Sequence, residues 1–123
     1  MQEVNYKVIQ GDNFQLSITY NDPEGTPIDL TGYSVLMEVK DRPGGKILSA
    51  SARYVPADIS NPAIEDGITV DPLDGKIDID LSSTKTKNFN LPKSAYQVQI
   101  TDLYGTKTTL LNGWFDVQAG VID

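Results

Sequence analysis

Ser94–Val117, reading SAYQVQITDLYGTKTTLLNGWFDV, is the stretch that decides the fold. Tyr96, Val98 and Ile100 alternate with Gln97, Gln99 and Thr101, which gives one apolar and one polar face and marks a half-buried strand. Asp102-Leu103-Tyr104-Gly105 supplies a turn in which Gly105 can take positive φ. The return arm carries Leu111, Phe115 and Val117 on one parity and the only tryptophan, Trp114, on the other. The hairpin therefore predicts Phe115 in the core and Trp114 at the surface. Asn112-Gly113 within the arm predicts a bulge or bend that re-aims this aromatic pair.

Strand patterns recur upstream. Val4, Tyr6 and Val8 share one parity of a first strand, Val4–Ile9, that ends at Gly11-Asp12. Phe14, Leu16, Ile18 and Tyr20 alternate with Gln15, Ser17 and Thr19. Asn21–Gly25 is a turn, with proline presetting φ and glycine closing the reversal. Tyr33, Val35, Met37 and Val39 form a third strand, ended by Arg42–Gly45, and Lys46–Tyr54 returns as a weaker one. Pro56–Asp66 has two prolines and no period, so it reads as a loop. Ile68 and Val70 form a short strand, and Asp71–Gly75 turns it into Lys76–Leu81. Ser82–Asn90 reads as one helical turn opened by Ser82 or Ser83. All seven prolines fall between predicted strands, as a hydrogen-bonded ladder requires. The pattern predicts an all-β immunoglobulin-like sandwich of about seven to eight antiparallel strands, with residues 1–123 forming one domain.

Composition removes several classes of function. The chain has no histidine and no cysteine, so Ser-His and Cys-His dyads, disulfides and the usual zinc ligands are excluded. No GxGxxG or P-loop pattern occurs. The net charge of −7 is opposite to what phosphate contacts require, so no nucleic-acid partner is expected. No apolar run reaches the ~20 residues of a membrane span, so no membrane insertion is expected. The N-terminus lacks the basic-then-apolar layout of a signal peptide.

Carboxylates are what remains for chemistry. Asp78 and Asp80 share the outward face of one predicted strand, where they could act as an acid and base pair. A charged face that discourages edge pairing accounts for them without catalysis. Asp71, Asp74 and Asp78 could gather around calcium, but Pro72 and Leu73 stand where ligands would fall and the spacing departs from the twelve-residue calcium loop. Asp12, Asp29 and Asp102 flank predicted turns, where aspartate bonds nearby backbone. These readings predict no enzyme activity, no catalytic residues, no metal site and no cofactor.

Gly11–Gly32, GDNFQLSITYNDPEGTPIDLTG, carries a family pattern. Gly11-Asp12 precedes an alternating strand, Gly25-Thr26-Pro27 marks a turn, and Asp29-Leu30-Thr31-Gly32 opens the next strand. With Gly75–Leu81 and the closing hairpin, the chain resembles the N-terminal domain of the phage baseplate upper protein family and similar immunoglobulin-like domains of bacteriophage tail proteins. In larger members further segments carry the receptor-binding apparatus, whereas this sequence stops at Asp123. The resemblance implies a non-enzymatic structural component of a bacteriophage virion, a tail or baseplate protein assembled in the host cytoplasm. Its partners would be other virion proteins and copies of itself. The alternative is a carbohydrate-binding or host-adhesion module of the particle, with a host-surface glycan as partner. Trp114, Phe115, Tyr104 and Tyr33 would supply the stacking rings for it, although core or interface packing is the favoured reading of these aromatics.

Self-association adds interface candidates. The first strand carries only Lys7 and no proline, so it is poorly guarded at a sheet edge. Val4, Tyr6 and Val8 from that strand, Tyr104 at the turn and Trp114 on the return arm are the residues expected in a homo-oligomeric contact.

Overall fold

The computed structural model describes residues 2–48 and 51–120. Its strands fall into two sheets that enclose one cluster of apolar side chains. The hairpin read from the sequence lies at the centre of the larger sheet. β9 (Lys93–Thr101) and β10 (Lys107–Gln118) pair antiparallel. On the free side of β9 lies β4 (Ser34–Lys40), followed by β5 (Ala52–Val55) and β6 (Ile64–Asp66). On the free side of β10 run two short strands, β1 (Gln2–Glu3) and β2 (Tyr6–Ile9). The smaller sheet holds β3 (Phe14–Thr19), β8 (Lys76–Leu81) and β7 (Ile68–Asp71), in that spatial order. Two sheets of this size and order form an all-β, immunoglobulin-like sandwich, with the larger sheet extended as in variable-type domains.

Period-two burial explains why these segments are strands. Val35, Met37 and Val39 point inward from β4, and Val98 and Ile100 do so from β9. They meet Ile68 of β7 and Ile77, Ile79 and Leu81 of β8, all at most 3% exposed. At the centre is Phe115, fully buried, stacked on Tyr96 at 4.6 Å and Phe89 at 4.8 Å between ring centroids. Phe14 of β3 meets it edge-on at 5.2 Å. Trp114, one residue earlier, lies on the outer face and stays partly exposed.

The structure corrects several sequence expectations. The first strand is split at Val4-Asn5, and both halves run parallel to β10 where an antiparallel partner was expected. The bulge falls at Leu110, between the Thr109 and Leu111 pairings, two residues before Asn112-Gly113. Gly113 serves a close approach instead, since a Cβ there would run into the carbonyl of Val4. Pro56–Asp66 is not all loop: its last three residues pair with β5 as β6. The return strand expected over Lys46–Tyr54 is limited to a bridge at Ile47 and to β5, and part of the expected stretch, residues 49–50, lies outside the described residues. The helical turn forms at α1 (Ser83–Thr86) with Ser82 at its N-cap position, but no side-chain cap is made. Thr86 anchors the turn from within. Its hydroxyl is buried, donates to the Asp12 carbonyl at 2.8 Å and accepts the Gly11 N–H at 3.0 Å.

Two outcomes follow for stability. Phe115→Ala should lower the free energy of unfolding by about 3–5 kcal/mol, the usual loss for a buried aromatic, and Trp114→Ala by only about 1 kcal/mol; chemical denaturation measures both. Gly113→Ala should displace β1 and β2 from β10. Hydrogen exchange would then show faster exchange across residues 3–9, with protection in β8 and β9 retained.

Candidate functional site

The outer face of the larger sheet holds the cleft that the hairpin register creates. Trp114 pairs with Ala95, and Ala95 pairs with Lys40 on its other side. A small residue between two long ones leaves a trough, with Ala95 as floor and Trp114 and Lys40 as walls. The next row along the strands runs Glu3, Asn112, Gln97 and Glu38, and the one beyond it joins Gln99 to Leu36. Pro43 and Gly44 close the rim, and the cleft measures about 260 Å³.

Polar chemistry lines this trough around one aromatic ring. The Lys93 ammonium sits 5.8 Å from the centre of the Trp114 ring and 4.0 Å from the Asp116 carboxylate. Lys40 stands 4.0 Å from Glu38. Gln97 Nε2 donates to Thr109 Oγ1 at 2.8 Å. The Asn112 Oδ1 is buried behind the trough and accepts no hydrogen bond. The arrangement can hold a side chain or a segment of another molecule by stacking, amide hydrogen bonds and charge pairing. It offers no nucleophile paired with a base.

The N-terminal segment fixes the tryptophan wall. Asn5 Oδ1 accepts the Trp114 backbone N–H at 2.9 Å, and the Val4 N–H donates to the Asn112 carbonyl at 2.9 Å. The Tyr96 hydroxyl donates to the Val4 carbonyl at 2.6 Å. Burial, with a smaller push from Tyr6, holds the Tyr96 phenol well above its ordinary value, so it remains a donor.

The five interface candidates do not converge. Val4 is partly buried and spends its backbone on Tyr96 and Asn112. Tyr6 lies in the aromatic cluster, edge-on to Phe14 at 5.4 Å. Val8 is 5% exposed and belongs to the core, so its side chain has no free surface to offer. Tyr104 is 92% exposed at the tip of the β9–β10 turn. Along β9 that tip lies about 25 Å from the Trp114–Ala95 row, at ~3.3 Å per residue. Trp114 alone reaches the cleft. Ala95, Asn112, Glu38 and Lys40 were missed, because only the pairing register puts them beside Trp114. The outward parity of Gln97 and Gln99 was the one signal available in sequence.

The carboxylates do structural work. Asp29 Oδ1 accepts the Thr31 N–H at 2.9 Å and its hydroxyl at 2.6 Å, which lowers its pKa, side-chain bond first. Asp102 Oδ1 accepts the Tyr104 and Thr106 N–H groups. Asp78 accepts the Ser17 hydroxyl at 2.6 Å. Asp71 moves the other way. A hydrogen bond shared with Asp74, then the Asp74 charge, raises its pKa, with Lys76 opposing.

Comparisons with known proteins give the fold a relative. The chain is similar in structure to an extracellular domain of the voltage-gated sodium channel beta4 subunit, described as forming parallel homodimers that explain its role in cell-cell adhesion. The TM-score is 0.53 at 13% identity, over 97% of this chain and 93% of that chain. No family model and no curated protein sequence matches. These findings overturn the phage baseplate reading, and with it the bacteriophage virion, tail and baseplate expectations drawn from it. The motif residues behind that reading have local explanations. Leu30 is a core plug at 1% exposure, Asp29 closes its own turn, and Gly32 takes φ +82° where a Cβ would meet Leu103. A sandwich of any origin needs such a corner.

The Asp71–Asp74 pair has a pH signature. A carboxyl with a raised folded-state pKa favours the fold below its unfolded value and loses that contribution as pH rises through the raised one. Asp74→Asn should therefore raise the thermal midpoint at neutral pH, with the gain shrinking to nothing in acid. Melting curves across a pH series check this.

Proposed function

We propose that this chain is a non-enzymatic, adhesion-type interaction domain that binds copies of itself, with the Trp114 face in the contact. The observation that carries the reading is the trough over Ala95. A partly exposed tryptophan stands there beside amides and paired charges. Tryptophan is enriched in the energetic centres of protein interfaces. The parallel homodimers described for the sodium channel beta4 domain support self-association on this fold. The net charge of −7 opposes it at low ionic strength, so association should strengthen as salt is added.

Sedimentation velocity over a concentration and salt series tests the reading. The wild-type chain should self-associate at high salt, and Trp114→Ala should weaken that association by about 2 kcal/mol or more, the loss typical of an interface anchor. A wild-type chain that stays monomeric at every concentration and salt level would overturn it.

A further inference from the structure

The smaller sheet carries an edge that nothing guards. β3 is hydrogen-bonded only to β8, and its other side faces no strand among the described residues. The other edges are short, charged or covered: β7, the far edge of the same sheet, has four residues, ends on Asp71 and follows a Gly67 bridge to Arg53 of β5. The β1–β2 edge breaks at Val4-Asn5 and presents Lys7. β6 is three residues long and carries Glu65 and Asp66, the latter 2.9 Å from the Lys85 ammonium. β3, reading FQLSIT, has no charge and no proline, and its register with β8 runs without a bulge from Phe14 to Thr19. Native sheets use charge, proline or bulges to prevent edge pairing, and none is present here.

Burial points the same way. Ile77, Ile79 and Leu81 of β8 are at most 1% exposed, whereas Ile18, Leu16 and Phe14 opposite them remain partly exposed. The inward row of β3 lacks the cover that one more strand would give.

We propose that β3 pairs antiparallel with β3 of a second copy, about a two-fold axis at Ser17. Two three-stranded sheets then become one sheet of six strands. This register sets Leu16 against Ile18 of the second copy on the inward face, and Gln15 against its Thr19 on the outer face. Within each copy Gln15 neighbours Asp80 and Thr19 neighbours Lys76. Each outer row therefore runs from an aspartate of one copy to a lysine of the other. In the central row each Ser17 donates to its own Asp78, and the two Asp78 carboxylates stand three strand spacings apart. That is about 14 Å, beyond the roughly 8 Å screening length of physiological salt. Backbone hydrogen bonds and the Leu16–Ile18 contacts hold the pair, and the charge rows select its direction.

This contact deepens the self-association reading but uses the sheet opposite the Trp114 face, so the two can fail separately. The chain contains no cysteine, and Ser17→Cys therefore introduces a single thiol on the axis. Antiparallel partners there lie about 4.5–5.5 Å apart between Cα atoms, within disulfide reach. Under mild oxidation at high salt, Ser17→Cys should form a covalent dimer about tenfold faster than Lys7→Cys or the exposed control Thr108→Cys, and Trp114→Ala in the same chain should not slow it. In the cysteine-free chain, Gln15→Lys with Thr19→Lys places lysine against lysine twice. It should raise the dimer dissociation constant about tenfold or more; because Thr19→Lys also faces Lys76 of its own copy, circular dichroism at the assay temperature verifies that the variant stays folded. Cross-linking of Ser17→Cys at the control rate, or faster cross-linking of Lys7→Cys, would overturn the β3 contact. So would a double-lysine variant that dimerises like wild type. If either result appears while Trp114→Ala still weakens association, the Trp114 contact stands alone.

Discussion

Phe115 is the residue on which the rest of the structure depends. Its ring touches Tyr96 from β9, Phe14 from β3, Tyr6 from β2 and Phe89 from the segment after α1. One side chain thus joins both sheets and the helical turn. Stacked and edge-on pairs each add to the burial term, and their geometry restricts how the sheets can slide. The acute requirement is volume: removing this ring would leave a cavity bounded by four other aromatics, with no single neighbour able to fill it.

The second constraint is the N-terminal segment, which is short yet positions the candidate binding face. It is held by three kinds of contact with the hairpin. These are the parallel ladders of β1 and β2, the Tyr96 hydroxyl on the Val4 carbonyl, and Asn5 on the Trp114 backbone. Gly113 makes this possible by leaving room for the Val4 carbonyl. The glycine before the tryptophan is thus a device for seating a neighbouring strand, and through it for setting where Trp114 stands.

The family pattern read over Gly11–Gly32 shows how local chemistry can suggest a kinship it does not establish. Its aspartate, leucine and glycine residues each perform a turn or packing task that the sandwich corner imposes. Short motifs built on such tasks recur wherever the same corner is needed. Likeness at 13% identity conveys the fold alone, and function has to be argued from the trough and the edges.

The sequence by itself determined the strongly alternating strands, the sandwich class and the opposite fates of Phe115 and Trp114, because period-two burial is a local signal that survives without coordinates. It also placed the Asp29 and Asp102 turns, whose hydrogen bonds span at most four residues. Only the tertiary structure decided the parallel pairing of the first strands, since an isolated strand pattern carries no direction. The bulge at Leu110 likewise depends on matching two strands residue by residue. The trough required three strands in register, so that Ala95 could fall between Trp114 and Lys40, a coincidence of positions 40, 95 and 114 that no spacing along the chain encodes. The open edge of β3 emerged only from strand order, because a strand reads the same in sequence whether it has one neighbour or two.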